Sequence, residues 1–222
     1  MKRKARQDGA KKLREVQTRL ERQYDRQWRN TGRTPFEELV FGVLNNRTTG
    51  SRASAAFEKL RQDYVDWNEI RVTRKNELAE TISGVGMEQE KAEQILGVLT
   101  GVFTEHHAFD LELSLDCEAS DARAYLQRIT DEPFAVNSVL FYSLGFNAHV
   151  IDEDAVRVAK RLGWIERHLA IDAAVKGIEE LIGRRRAGVL CALMAKHGRE
   201  VCTPRNYKCR RCVLRAVCES AS

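Results

Sequence analysis

Six cysteines punctuate the chain, and four of them fall together: Cys202, Cys209, Cys212 and Cys218 are separated by six, two and five residues. Thiolate sulfur selects soft metal centres, and four thiolates this close in sequence can gather around one iron–sulfur cluster or one zinc ion. Zinc sites usually pair two Cys-x2-Cys knuckles, or one knuckle with a His pair. Here a single knuckle, Cys209 to Cys212, carries a longer arm on each side, which fits a [4Fe–4S] cluster better; zinc is the alternative. Cys117 and Cys191 stand apart and read as small buried core residues.

The cysteine spacing, with Ala195-Lys196-His197-Gly198-Arg199 leading into it, resembles the C-terminal cluster loop of the endonuclease III family of DNA glycosylases. A second stretch carries the same resemblance. Val150-Ile151-Asp152-Glu153-Asp154-Ala155-Val156-Arg157-Val158, following Leu144-Gly145-Phe146, is similar to the aspartate signature of that family. The match implies that Asp152 is the catalytic carboxylate. An Asp before a helix is by default an N-cap, and the two roles are compatible. Cleaving an N-glycosidic bond builds positive charge on the sugar, as O-glycoside hydrolysis does. A fixed carboxylate stabilises that charge and can orient or deprotonate an attacking water.

Three departures from the family pattern shape the expected activity. Bifunctional members carry a lysine directly after a DNA-binding hairpin, whose amine attacks the sugar. By position that hairpin falls on Ile129-Thr130-Asp131-Glu132-Pro133-Phe134, where Phe134 or Ala135 stands at the lysine site and no glycines remain. Lyase activity of the usual kind is therefore not expected, and two carboxylates weaken the hairpin's grip on phosphate. Ile82-Ser83-Gly84-Val85-Gly86 looks locally like such a hairpin, but its place in the chain makes it a structural turn. The third departure lies in Leu44-Asn45-Asn46-Arg47-Thr48-Thr49-Gly50, where the family places a glutamine that fills the gap left by the extruded base. Asn46 and Arg47 take that place, and a guanidinium can stack in a gap and bond base edges. The Cys202–Cys209 arm, with Arg205 and Lys208, and the adjoining Arg210 and Arg211 are the candidates for phosphate contacts. Of the histidines, His106, His107, His149 and His168 form no ligand pair; only His149, near Asp152 in sequence, could approach the site.

The elements that must position these residues are helical. Leu13, Val16, Leu20, Tyr24 and Trp28 recur at helical spacing over 11–29. Thr34-Pro35-Phe36-Glu37 spells a capping box with proline at the first helical position, and Ser51 can cap a third helix. Further helical patterns cover 75–82, 88–104, 119–129, 134–144, 153–163, 171–182 and 185–197, and nothing alternates with period two for long. The expected class is all-α. The resemblance implies two lobes: a six-helix barrel over 28–146, and a helical lobe of 1–27 plus 147–222 that carries the cluster loop 202–218.

Composition agrees with a nucleic-acid partner. The net charge is +5 at pH 7, unevenly spread. Residues 1–33 carry twelve Lys/Arg against four Asp/Glu, residues 196–218 carry seven against one, and 105–132 are acidic. Basic ends on a balanced body are a footprint for phosphates. No run of 18 apolar residues spans a membrane, and the basic N-terminus lacks an apolar stretch and cleavage site. The expected protein is a cytoplasmic monomer, nucleoid-associated in a bacterium, acting on double-stranded DNA that contains a damaged base. It is read as a monofunctional glycosylase of base excision repair; the alternative is an iron–sulfur protein that binds DNA or damage and has lost catalysis.

Overall fold

The computed structural model describes residues 2–24, 29–111, 117–183 and 187–221. Trp28, the last apolar position of the first predicted helix and the edge of the predicted barrel lobe, lies outside them. The described residues hold eleven α-helices and no strand: α1 (Lys2–Gln23), α2 (Pro35–Asn45), α3 (Gly50–Asp63), α4 (Trp67–Val72), α5 (Lys75–Thr81), α6 (Glu88–His106), α7 (Ala119–Ile129), α8 (Pro133–Ser138), α9 (Glu153–Arg161), α10 (Ile171–Ile182) and α11 (Ala187–Glu200). The all-α expectation holds. No described helix is long and apolar enough to cross a membrane.

Three differences from the predicted elements have local causes. The first helix begins at Lys2 rather than 11, because its early residues are mostly good helix formers and no proline interrupts them. The short α4 is capped by the Asp66 side chain, which accepts from Glu69 N. At α3 the cap is Thr49 and the helix starts at Gly50, so Ser51 is inside it and not the cap.

Two apolar cores organise the chain. One is built on α2, which is buried almost all round: Phe36, Leu39, Val40, Val43 and Leu44 pack against Phe57, Leu60, Leu78, Ile95, Leu99, Leu126, Val136 and Phe141. The other joins Val16 and Leu20 of α1 to Ala155, Val158 and Ala159 of α9, Ile178 of α10, Leu190 and Leu193 of α11, and Leu214. The predicted capping box opens α2: Thr34 Oγ1 accepts from Glu37 N at 3.2 Å and the Glu37 carboxylate accepts from Thr34 N at 3.0 Å. Lys91 closes its far end. Fully buried, it donates to Leu44 O at 2.9 Å and Val85 O at 3.2 Å, tying α2 to the 82–87 turn, and burial lowers its pKa to about 8. Gly84 and Gly86 take positive φ in that turn, and both backbone N–H groups are donated to Glu88 Oε1 at 3.0 Å. The turn thus carries its own anion.

Cys191 is fully buried as expected, whereas Cys117 is half-buried against the first core. α8 runs on into a single π turn, Val139–Ser143, so Ser138 and Tyr142 both reach one pocket. The closest helix approach there is at Gly42 of α2, where a Cβ would lie 2.6 Å from Ala135 Cα. Gly42→Ala must push α2 and α8 apart. Overpacking of this kind costs ~1–3 kcal/mol, and a melting scan should show a Tm lowered by several degrees.

Candidate active site

Asp152 is the N-cap of α9, with φ −86° and ψ 178°. Its Oδ1 accepts from Ala155 N at 2.8 Å, and its Oδ2 accepts from Arg199 Nη1 at 3.0 Å. Only 2% of the residue is exposed, yet it borders a pocket of about 200 Å³. Asn45, Phe134, Ser138, Tyr142, Lys196 and Arg199 share that pocket. Burial pushes the Asp152 carboxyl up to about 6; Arg199, the Ala155 amide and the Asn45 side chain pull the other way, while Asp154 adds to the rise. At neutral pH the group is still mostly ionised, buried with one cation beside it.

Neighbouring backbone locks this geometry. Gly50 N donates to Asp154 Oδ2 at 2.9 Å, and Glu153 N donates to Thr48 O at 3.3 Å, so the α2–α3 turn is stitched to the start of α9. Gly50 also leaves room for Arg199: a Cβ there would sit 2.7 Å from Arg199 Cδ. A second buried carboxylate, Glu38, lines the same pocket. It pairs with Arg33 at 2.8 Å and accepts from the Thr31 hydroxyl at 3.0 Å, while burial still raises its pKa. Lys196 is tied to Glu200 at 3.0 Å and lies over the Tyr24 ring.

The structure separates the other predicted residues from this pocket. Arg47 takes a left-handed φ of 52° and its guanidinium pairs with Asp172 Oδ1 at 2.9 Å. Asn46 caps α2 through its backbone, donating to Gly42 O at 3.1 Å. His149 is bonded to Glu179 and does not border the pocket. In the 129–134 segment, Glu132 caps α8 by accepting from Phe134 N at 3.1 Å.

The four cysteines line one groove of about 740 Å³ on the other side of α9, together with Arg52, Arg157, Lys160, Arg161, Lys208 and Arg215. Among the described residues, no three His, Cys, Asp or Glu side chains converge on a single-ion position, so the thiols border a groove rather than close on a point. The donor set fits a [4Fe–4S] cluster, which takes four cysteine thiolates. Its surroundings fit too: Arg161 Nη1 donates to Cys202 Sγ at 3.2 Å, and His197 Nε2 lies 3.2 Å from Cys212 Sγ. Burial raises the Cys212 and Cys218 thiols, and the thiols' mutual repulsion adds to it, a cost that a bound cation removes. Arg205, Lys208, Arg210 and Arg211 are all exposed or half-exposed on this loop.

Sequence reasoning missed what holds the loop. Arg157 donates to Cys202 O at 2.9 Å and Gly198 O at 2.8 Å, and Arg161 donates to Cys202 O, Thr203 O and Pro204 O while stacking over Tyr207 at 4.7 Å. Their recurrence one helical turn apart, after an aspartate, was the available signal. Arg199 was visible only as part of the lead-in to Cys202. Asn45 was visible only as a turn residue.

No protein-family model matches the chain. It is 25% identical to Endonuclease III of Thermotoga maritima over 185 residues, 83% of either chain. It is also 25% identical to the Thymine/uracil-DNA glycosylase of Methanothermobacter thermautotrophicus over 197 residues, covering 86% of this chain and 84% of that one. A DNA glycosylase/AP lyase of Arabidopsis thaliana is 29% identical over 178 residues, and the chain spans only 12% of that plant protein. Among solved structures, a trapped endonuclease III–DNA covalent intermediate superposes with a TM-score of 0.64 at 21% identity, over 97% of this chain and 96% of that one. A thermostable thymine-DNA glycosylase superposes with a TM-score of 0.56 at 21% identity, over 94% of each. At those identities the structural likeness is one of fold.

The buried aspartate sets a pH-dependent stability. Its folded pKa of about 6 exceeds the ordinary carboxylate value, so between pH ~4 and 6 the native state holds a proton that the unfolded chain releases. This contribution is complete below pH ~4 and lost as pH rises through 6. Denaturant titrations should show wild type losing ~2–3 kcal/mol relative to Asp152→Asn across that window.

Proposed function

We propose that the chain, similar over most of its length to endonuclease III and to a thymine/uracil-DNA glycosylase, is a member of the endonuclease III family of helix-hairpin-helix DNA glycosylases and excises a damaged base from double-stranded DNA by hydrolysis at Asp152, without the lyase step of bifunctional members. The observation that carries this reading is the buried carboxylate of Asp152, paired with Arg199, beside a pocket in which Phe134, at the lysine site, offers no nucleophile.

In the proposed reaction the target nucleotide leaves the stack and enters the pocket, at a cost of a few kcal/mol. As the bond to the base breaks, positive charge grows on the sugar. Asp152 faces that charge, held in place by Ala155 N and Arg199. At about 4 Å and an effective dielectric of ~20, the attraction is on the order of 4 kcal/mol, roughly a thousandfold in rate. The carboxylate then takes a proton from the water that completes the displacement. Arg199 offsets the burial that would otherwise neutralise the acid. Lys196 borders the pocket paired with Glu200 and is not assigned a covalent role.

Cys202, Cys209, Cys212 and Cys218 would hold a [4Fe–4S] cluster, which when bound supplies a rigid, redox-capable anchor for the loop. Arg205, Lys208, Arg210 and Arg211 on that loop would contact phosphates. Arg47 would fill the gap in the stack, with Asn46 beside it; its exposed pair with Asp172 is worth ~0–1 kcal/mol and can be exchanged for DNA. The proposed lobes are 28–146 and 1–27 plus 147–222; the two cores follow this division apart from Ala148, Val150 and Ala192, which pack in the first. A monomer in the cytoplasm, on the nucleoid in a bacterium, is the matching state.

A panel of single-lesion duplexes (uracil, an oxidised pyrimidine, an alkylated purine) tests the reaction. Wild type should excise at least one base, Asp152→Asn should lose about a thousandfold in kcat, and borohydride should trap no covalent adduct. Equal rates in the two proteins, or a trapped adduct, refute the reading. The wild-type rate should climb as pH passes about 6, because only ionised Asp152 stabilises the sugar cation. Replacing Lys208 and Arg210 with alanine should weaken binding to any duplex and reduce the salt slope of log K by ~0.9 for each phosphate no longer neutralised. Purified protein should be brown with stoichiometric iron and sulfide, and Cys212→Ser should lose that colour.

A further inference from the structure

Asn45 ends α2 inside the Asp152 pocket and is 7% exposed. Asn45 and Asp152 line this pocket together, and the Asn45 side chain lowers the carboxyl's pKa, as an N–H donor does and a carbonyl does not. Orientation of the other end follows. The amide carbonyl, Asn45 Oδ1, is then a buried acceptor of fixed direction, and it has no donor. Thr48 Oγ1, on the same turn, does not supply one and is itself buried without a partner. The Arg33 guanidinium in this pocket is committed to Glu38, and that of Arg199 to Asp152. Buried polar atoms in folded proteins are nearly always satisfied, and an exception at a ligand pocket marks a place where the ligand completes the set.

We infer that Asn45 is a specificity-determining residue of this pocket: its carbonyl accepts a hydrogen bond from an N–H on the edge of the extruded base. The inference rests on the glycosylase reading above and narrows its substrate. The preferred class is a base with an N–H at that edge, such as the imide of a uracil-type ring or an exocyclic amine. A base whose edge nitrogen is alkylated leaves Oδ1 unpaired and is rejected. Sites built to bond a substrate N–H discriminate far more strongly than apolar pockets do, because a mismatched base strands a buried polar group. The same residue shares the acid's pocket and helps hold it ionised, so reading the base and setting the carboxylate are coupled.

Excision from full-length protein is measured on duplexes carrying uracil, N3-methyluracil, 5-hydroxycytosine or its N4-dimethyl form, with an alkylated purine as an outside reference. Wild type should prefer the N–H partner of at least one pair by ~100-fold or more in kcat/KM; the uracil pair reports an imide contact and the cytosine pair an amine contact. Asn45→Leu, close in shape, should bring that ratio to within ~10-fold. A ratio within one protein is insensitive to how much of it is folded, and Asn45→Ala repeats the test if leucine is poorly tolerated. Asp152-dependent excision that ignores methylation, or that is confined to the alkylated purine, overturns the inference and leaves the glycosylase reading standing. A methylation ratio unchanged in both Asn45 variants also overturns it. Undiminished excision by Asp152→Asn defeats the glycosylase reading itself, and the inference with it.

Discussion

The close crossing of α9 and α11 is the constraint on which both halves of the site depend. At Gly198 a Cβ would lie 2.8 Å from Asp154 O, so the two backbones touch where any other residue would hold them apart. One residue further, Arg199 reaches Asp152; from within α9, Arg157 bonds Gly198 O. From the same helix Arg157 and Arg161 take hold of Cys202 and the arm beyond it. The carboxylate and the thiol loop are therefore two ends of one rigid pair of helices. A change that spreads the crossing moves both.

Charge is arranged around that pair in opposite ways on its two sides. Toward the pocket, each of two buried carboxylates has a cation of its own: Arg199 for Asp152 and Arg33 for Glu38. Removing one partner of such a pair leaves an uncompensated buried charge, which is why the pairing stabilises the site even though burial of the pair is itself costly. Toward the groove, arginines and lysines outnumber acids and surround sulfur. The first arrangement holds a negative charge ready in a buried place. The second sets cations beside the thiols and, on its outer face, favours phosphates.

The α2–α3 turn shows how local departures are absorbed without loss of architecture. Gly50 donates its backbone N–H to the Asp154 carboxylate, and the space that a side chain would fill admits Arg199. Lys91 braces the turn from below through Leu44 O. A stretch that reads as an altered wedge is thus also a structural clamp on the start of α9. One of its unmet atoms, Asn45 Oδ1, belongs to a residue lining the pocket that the clamp creates.

Much of this was legible from residue order, because it depends on contacts close in sequence. Helical spacing, the Thr34–Glu37 box, the cap at Asp152 and the grouping of four cysteines are all settled within a few residues of themselves. The start of α1 and the short α4 were misplaced or missed for the same local reason: propensity blurs where helices begin, and six residues hold too little periodicity to register. Long-range partners were not legible. Arg199 and Asp152 are 47 positions apart, Gly50 and Asp154 are 104, and Tyr24 and His197 are 173. Nothing in the type of an arginine says which carboxylate it will neutralise; that is decided when Gly198 lets two helices close. Sequence by itself determined the helical class, the thiol set and the acid at the head of α9. Only the tertiary structure decided that the acid is buried, that Arg199 keeps it charged, that Arg47 stands away from it on Asp172, and that Asn45 stands beside it, since burial and pairing are properties of surfaces brought together by packing.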